Sequence, residues 1–138
     1  ELGSIAELPW DILHFGLNDL SISFGKRDIW DIVASGRLAD WLKPLEGRIY
    51  GVGGATVLSG GSPIASPVIL SVMGGLGCRM VLLRRSFIRD CPGSEMPARV
   101  AEIRSFLVRL LDATSVVQTR AYESSRSRLI EILGGGHD

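Results

Sequence analysis

A glycine-punctuated apolar stretch, residues 47–90, constrains the fold of this chain more than any other feature. It contains three runs rich in β-branched and aromatic residues, which favour strands. The runs are residues 48–58, 67–73 and 78–89. Short segments rich in glycine separate them, and connections this short favour antiparallel neighbours. The stretch therefore predicts a three-stranded antiparallel meander.

Helical periodicity precedes and follows this stretch. We expect a first helix that opens at residues 8–13 and a second helix that begins near residue 26, with Gly36 as a point where it splits. The strongest apolar stripe lies in the C-terminal half, and we expect it to be core. Its members are Val100, Ile103, Leu107, Leu110 and Leu111. Residues 114–119 contain few strong helix formers and indicate a break.

The sequence thus predicts one α+β domain over residues 1–138. Its parts are N-terminal helices, the three-stranded antiparallel meander, and a long or broken C-terminal helix packed across that meander. The first residue is not Met, so we expect a fragment or a processed chain.

The composition is apolar for a chain of this size. Hydrophobic residues make up 46% and the mean hydropathy is +0.25. A core needs only part of this, so we expect an apolar surface that a partner or a second copy covers. No apolar run is long enough to predict a membrane span, and no signal peptide is recognisable.

Two cysteines, Cys78 and Cys91, flank the third predicted strand. An extended strand of that length would keep them too far apart to form a disulfide. Free thiols are typical of a reducing compartment, so we expect an intracellular protein of the cytoplasm or nucleus.

The charge is balanced overall but uneven in kind. The formal net charge is zero, so attraction of the whole molecule to nucleic acid or anionic membranes is not implied. All basic residues after residue 46 are arginines, a usage that a GC-rich genome also produces. Arg79, Arg85 and Arg89 share one face of the third predicted strand, where they could bind RNA phosphates. Alternatively, they protect a solvated edge strand, and only Phe87 offers an aromatic ring for base stacking.

No pattern in the chain indicates a catalytic, metal or cofactor site. The glycines at 51, 53 and 54 lack the third glycine of a dinucleotide fingerprint, and no Gly-Lys-Ser/Thr follows them. The two histidines, His14 and His137, form no zinc spacing with the cysteines. His14 is the more plausible candidate for a nucleophile–histidine pair, although a histidine in such a position is more often an ordinary helix-surface or packing residue. We therefore expect a non-enzymatic protein without a cofactor.

Residues 8–13 have the order Leu-Pro-Trp-Asp-Ile-Leu, which resembles the opening of an F-box. The Leu-Pro-x-x-Ile/Leu start of that family contacts the Skp-type adaptor of a ubiquitin ligase. The segment is also similar to the reduced box of plant-virus silencing suppressors of the polerovirus P-zero type, although the later proline of that box is missing here. The resemblance implies that Leu8, Pro9, Ile12 and Leu13 contact an adaptor. An amphipathic core helix with proline in its first turn is the alternative.

These observations favour a protein-interaction domain that binds a protein partner or itself, as a homo-oligomer. Two alternatives stay open. One is an F-box-like segment that recruits a Skp-type adaptor, and the other is an arginine-mediated RNA-binding domain, which the zero net charge does not favour.

Overall fold

A computed structural model describes residues 2–134, and its secondary structure is mainly helical. The helices are α1 (Leu2–Ala6), α2 (Leu17–Ser23), α3 (Asp31–Ala34), α4 (Arg37–Leu42), α5 (Ser66–Gly75), α6 (Arg85–Asp90), α7 (Met96–Leu111) and α8 (Ser115–Gly134). The strands are β1 (Ile12–Phe15), β2 (Ile49–Val52), β3 (Gly54–Ala55) and β4 (Leu82–Leu83). His137, named above, lies outside the described residues.

All strand pairs in this part of the chain are parallel. β1 pairs with β2, and β3 pairs with β4. Gly53 alone separates β2 from β3, and its φ of +69° bends the chain there. The backbone N–H of Arg79 donates to the carbonyl oxygen of Tyr50 at 2.9 Å, so the segment before β4 continues along β2. Three extended segments therefore lie side by side in the order β1, β2–β3, β4.

The predicted antiparallel meander is wrong, because its middle run is a helix. Residues 67–73 lie in α5, which carries the chain from β3 to its parallel neighbour β4. A parallel connection needs a crossover of this kind, whereas a hairpin turn cannot provide one. α5 buries apolar side chains on most of its circumference, and such a run has the same hydrophobic pattern as a buried strand.

The predicted first helix is also wrong. Residues 7–11 form a turn, and β1 follows it. Leu13 and Phe15, two residues apart on one face of β1, pack on the core, whereas Ile12 on the opposite face is exposed. Side chains of a strand alternate between its two faces in this way. The helical spacing seen in the sequence arose because Leu17 and Leu20, buried in α2, continue the series after β1.

α5 lies at the centre of the molecule, against α7 and α8. Leu70 of α5 is completely buried, and of the C-terminal stripe Ile103 and Leu107 are buried. The core prediction is confirmed for those two residues, while Val100, Leu110 and Leu111 are half-buried. None of the helices in residues 2–134 combines the length and apolar character that a membrane crossing requires.

Glycines at the end of α5 allow the two C-terminal helices to approach it closely. A Cβ on Gly74 would lie 3.0 Å from Leu110 Cδ1 of α7, and one on Gly75 would overlap the Cβ of Tyr122 in α8. Just after the helix, the Tyr50 hydroxyl donates a hydrogen bond to the carbonyl oxygen of Leu76, which ties β2 to α5. Burial of this hydroxyl raises the pKa of Tyr50 to about 12.

Replacing glycine with alanine normally stabilises a helix, but the close approach of α5 and α8 makes this substitution unfavourable at Gly75. We expect Gly75→Ala to lower the free energy of unfolding by about 1–3 kcal/mol, because its methyl group would overlap Tyr122. Denaturant unfolding measures the change. Gly3→Ala is the control, since a Cβ at Gly3 meets nothing within 4 Å and alanine is the better helix former by up to about 1 kcal/mol. Equal stabilisation by both substitutions would contradict the packing described.

Candidate interaction surfaces

Arg48, the residue before β2, binds the turn that leads into β1. Its guanidinium donates hydrogen bonds to the backbone carbonyl oxygens of Ala6, Leu8 and Trp10, the last at 2.6 Å from Nη2. Its Cζ also lies 3.6 Å from the centroid of the Trp10 ring, a cation–π contact. The planar, five-donor guanidinium can bind several carbonyls at once, which a lysine ammonium cannot match in this geometry.

Trp10 connects this turn to the N-terminal helix. Its indole Nε1 donates to the carbonyl oxygen of Ile5 at 2.7 Å, and the backbone N–H of Leu8 donates to the same carbonyl at 3.2 Å. α1 in turn packs on the 3-10 turn Lys43–Leu45, which precedes Arg48 in the chain. The turn is therefore fixed from both ends, and its shape does not depend on burial of Leu8.

Three large apolar side chains are exposed around this turn. Leu8 is 56% exposed, Ile12 58% and Ile49 42%. Ile12 and Ile49 are register partners in β1 and β2, so their side chains lie next to each other on one face of the strand pair. The Leu8 backbone is held by Arg48, the neighbour of Ile49. We call Leu8, Ile12 and Ile49 the N-terminal patch.

The four residues named by the F-box resemblance fall into two groups. Leu8, Pro9 and Ile12 are exposed, whereas Leu13 is half-buried and packs against the core. An ordinary core-helix start would bury the apolar residues of this segment, so that interpretation is wrong. The segment is instead a rigid turn and a strand whose apolar side chains are accessible.

β1 also offers an open backbone edge. Within residues 2–134 it pairs with β2 on one side and with no strand on the other. Unpaired N–H and C=O groups along such an edge are available for pairing with another chain. The exposed edge and the N-terminal patch are continuous, because Ile12 belongs to both.

The side chains that could support nucleophilic chemistry are engaged or buried. The His14 imidazole donates from Nε2 to the carbonyl oxygen of Gly53 at 2.6 Å. Cys78 and Cys91 are free thiols, as predicted, and both are buried. Burial raises the pKa of the Cys78 thiol to about 12, so it stays protonated at neutral pH. Among the described residues, no group of three or more histidine, cysteine or acidic side chains is placed to bind a metal.

The structure separates the three arginines that were predicted to share a strand face. Arg79 precedes β4, while Arg85 and Arg89 lie one turn apart in α6. The predicted shared face is wrong because the ladder in this region is limited to Leu82–Leu83 and a helix follows it. Arg89 is also engaged, since its Nε lies 2.8 Å from Asp90 Oδ1, and this hydrogen bond lowers the pKa of the Asp90 carboxyl. The three arginines are therefore not aligned along one strand, as the predicted phosphate contact required.

A crevice at the carboxyl ends of the strands was not predicted from the sequence. It has a volume of about 350 Å³, and Arg84, Arg85, His14 and Asn18 contribute to its lining beside apolar side chains. Ligands of open parallel sheets bind at this end of the strands. An antiparallel meander has no such end, so the crevice could not be predicted from the incorrect strand direction.

Arg48 was not identified from the sequence for a different reason. Its partners are backbone carbonyls, and no residue type in the sequence indicates them.

Comparison with protein-family models, with curated proteins and with solved structures gives no match for this chain.

The role of Arg48 can be tested by a substitution that keeps its charge. We expect Arg48→Lys to lower the free energy of unfolding by about 1–3 kcal/mol, because carbonyls bound by a charged donor lose most of their partners. Proteolysis of residues 7–11 should also become faster in the folded protein. Arg109→Lys provides the control, since that arginine is exposed and belongs to α7 rather than to this turn. Unchanged stability and unchanged cleavage in Arg48→Lys would contradict the role of the guanidinium.

Proposed function

We propose that this chain is a non-enzymatic protein-interaction domain that self-associates through the N-terminal patch and the adjacent edge of β1. The observation that carries the proposal is the exposure of Leu8, Ile12 and Ile49 on a turn and strand pair that Arg48 holds in place. Isolated exposed apolar residues are common on protein surfaces, whereas contiguous ones beside an open strand edge are typical of binding sites.

The rigidity of the turn supports a binding role. A segment that is already fixed loses little conformational freedom when a partner covers it, so more of the burial energy becomes affinity. Each square ångström of apolar surface buried contributes about 25 cal/mol before those costs are subtracted. In a two-fold dimer the same patch is buried on both copies, which doubles the contribution of each side chain.

A substitution within the patch tests self-association. At about 100 μM, where interfaces of roughly micromolar affinity are assembled, we expect light scattering to give a mass above that of the monomer. Ile12→Lys should return the mass to that of a monomer, because the ammonium would have to be desolvated in the interface. Ile88→Lys is the matched control, since Ile88 is 68% exposed but lies on α6. A monomeric wild type, or equal effects of both substitutions, would rule out this interface.

Recruitment of a Skp-type adaptor is a second candidate function, and the exposure of Leu8, Pro9 and Ile12 favours it. If it operates, the protein should capture such an adaptor. The double substitution Leu8→Ala with Pro9→Ala should abolish capture, because interface anchors carry binding energy.

The fold should survive that double substitution. Since both side chains are exposed, we expect the free energy of unfolding to change by less than about 0.5 kcal/mol. Ile88→Ala is the control, and it should leave capture unchanged. An adaptor that the wild-type protein fails to bind, or that the double variant binds equally well, would exclude this candidate.

A further inference from the structure

We infer that the groove between β4 and α7 binds an extended segment of another protein in which acidic residues flank an apolar residue. This groove is separate from the N-terminal patch and has a volume of about 430 Å³. Val81 and Leu83 line one side of it, and apolar side chains of α7 line the other, namely Val100, Ile103, Leu107, Val108 and Leu111.

The apolar lining of the groove is partly uncovered. Leu83 is 44% exposed and Val108 52%, although both lie beside the buried residues Ile103 and Leu107. The volume lies within the range of about 300–1,000 Å³ that is usual for binding pockets. It is large enough for an apolar side chain of a partner, which would cover the two exposed residues.

The backbone beside the groove is also available for binding. The N–H of Arg84 donates to the carbonyl oxygen of Ala55 at 2.8 Å, so it points towards β3. Backbone groups alternate in direction along a strand, and those of Leu83 therefore point away from β3. No strand within residues 2–134 pairs with that side of β4. An extended peptide can add its own backbone there as a further strand.

The charges around the groove indicate which partner fits. Arg79 and Arg104 contribute to its lining, and no carboxylate does. Neither arginine forms an ion pair with a described residue, whereas Arg99 of the same helix binds Glu95 at 2.9 Å and Glu102 at 2.8 Å. Carboxylates are the natural partners of a free guanidinium, since both are planar and can form two parallel hydrogen bonds.

The same charges argue against a second copy of this chain in the groove. Two grooves facing each other across a two-fold axis would bring Arg79 and Arg104 of both copies together without any lining carboxylate to offset them. An acidic segment has the opposite charge and meets no such repulsion. The occupant of the groove is therefore a segment of a different protein that carries acidic and apolar residues.

A displayed library of random peptides provides the probe. We expect selection on the Ile12→Lys protein, which removes any contribution of the N-terminal patch, to enrich peptides with acidic residues on both sides of an apolar one. Val108→Asp should weaken binding of the enriched peptides by at least about tenfold, because it places a carboxylate in the groove. Val117→Asp is the matched control, with a valine that is 50% exposed on α8, and it should bind as before.

A second variant keeps the test independent of any effect of Val108→Asp on folding. Arg79→Glu with Arg104→Glu changes two exposed side chains, and it should shift the enriched peptides from acidic to basic. The inference is overturned if no peptide is enriched, or if the enriched peptides bind every variant equally. It is also overturned if Val108→Asp, made in the otherwise unchanged protein, converts an oligomer into a monomer, since a second copy would then occupy the groove.

Discussion

Parallel pairing on both sides of the β2–β3 strand is the constraint on which the rest of the structure depends. Each neighbour of that strand has to be reached by a crossover, α2 to α4 on one side and α5 on the other. The second crossover requires a helix that is apolar on most of its surface, and Gly74 and Gly75 let α7 and α8 close over it. Within residues 2–134, β1 and β4 each pair with one strand and remain edges, and the two proposed binding surfaces lie at those edges.

The side chains beside the two edge strands, β1 and β4, differ in charge. At β1, the positive charge of Arg48 is directed inward onto backbone carbonyls and the face of Trp10, which leaves an apolar surface beside the strand. At β4, Arg79 and Arg104 form no ion pair with a described residue, and they line a groove whose other lining residues are apolar. Charged residues at an edge usually discourage pairing with further copies. The apolar surface beside β1 therefore suits the proposed self-association, whereas the arginines beside β4 suit the proposed acidic segment of another protein.

The sequence predicted the features that a helical repeat or a single glycine indicates. The stripe containing Ile103 and Leu107 is buried, and Gly36, with φ of +77°, separates α3 from α4. Residues 67–73 were assigned to the wrong element because a short apolar run looks the same in a buried helix and a buried strand. The wrong strand direction followed from that error. The face assigned to Arg79, Arg85 and Arg89 was wrong for a separate reason, because the third run holds only the short strand β4 and then the helix α6. Arg48 could not be identified as a structural residue, since its hydrogen-bond partners are backbone atoms about forty residues earlier.

Hydrogen exchange of the wild-type protein at two concentrations tests the central claim most directly, because it locates the interface without a substitution. Samples at about 1 μM and about 100 μM bracket the range in which micromolar interfaces assemble. We expect amides of residues 8–15 to exchange more slowly in the concentrated sample, and the exchange of α6 amides to stay unchanged. Assembly at the higher concentration with unchanged exchange in residues 8–15, or with protection confined to another region, would contradict it.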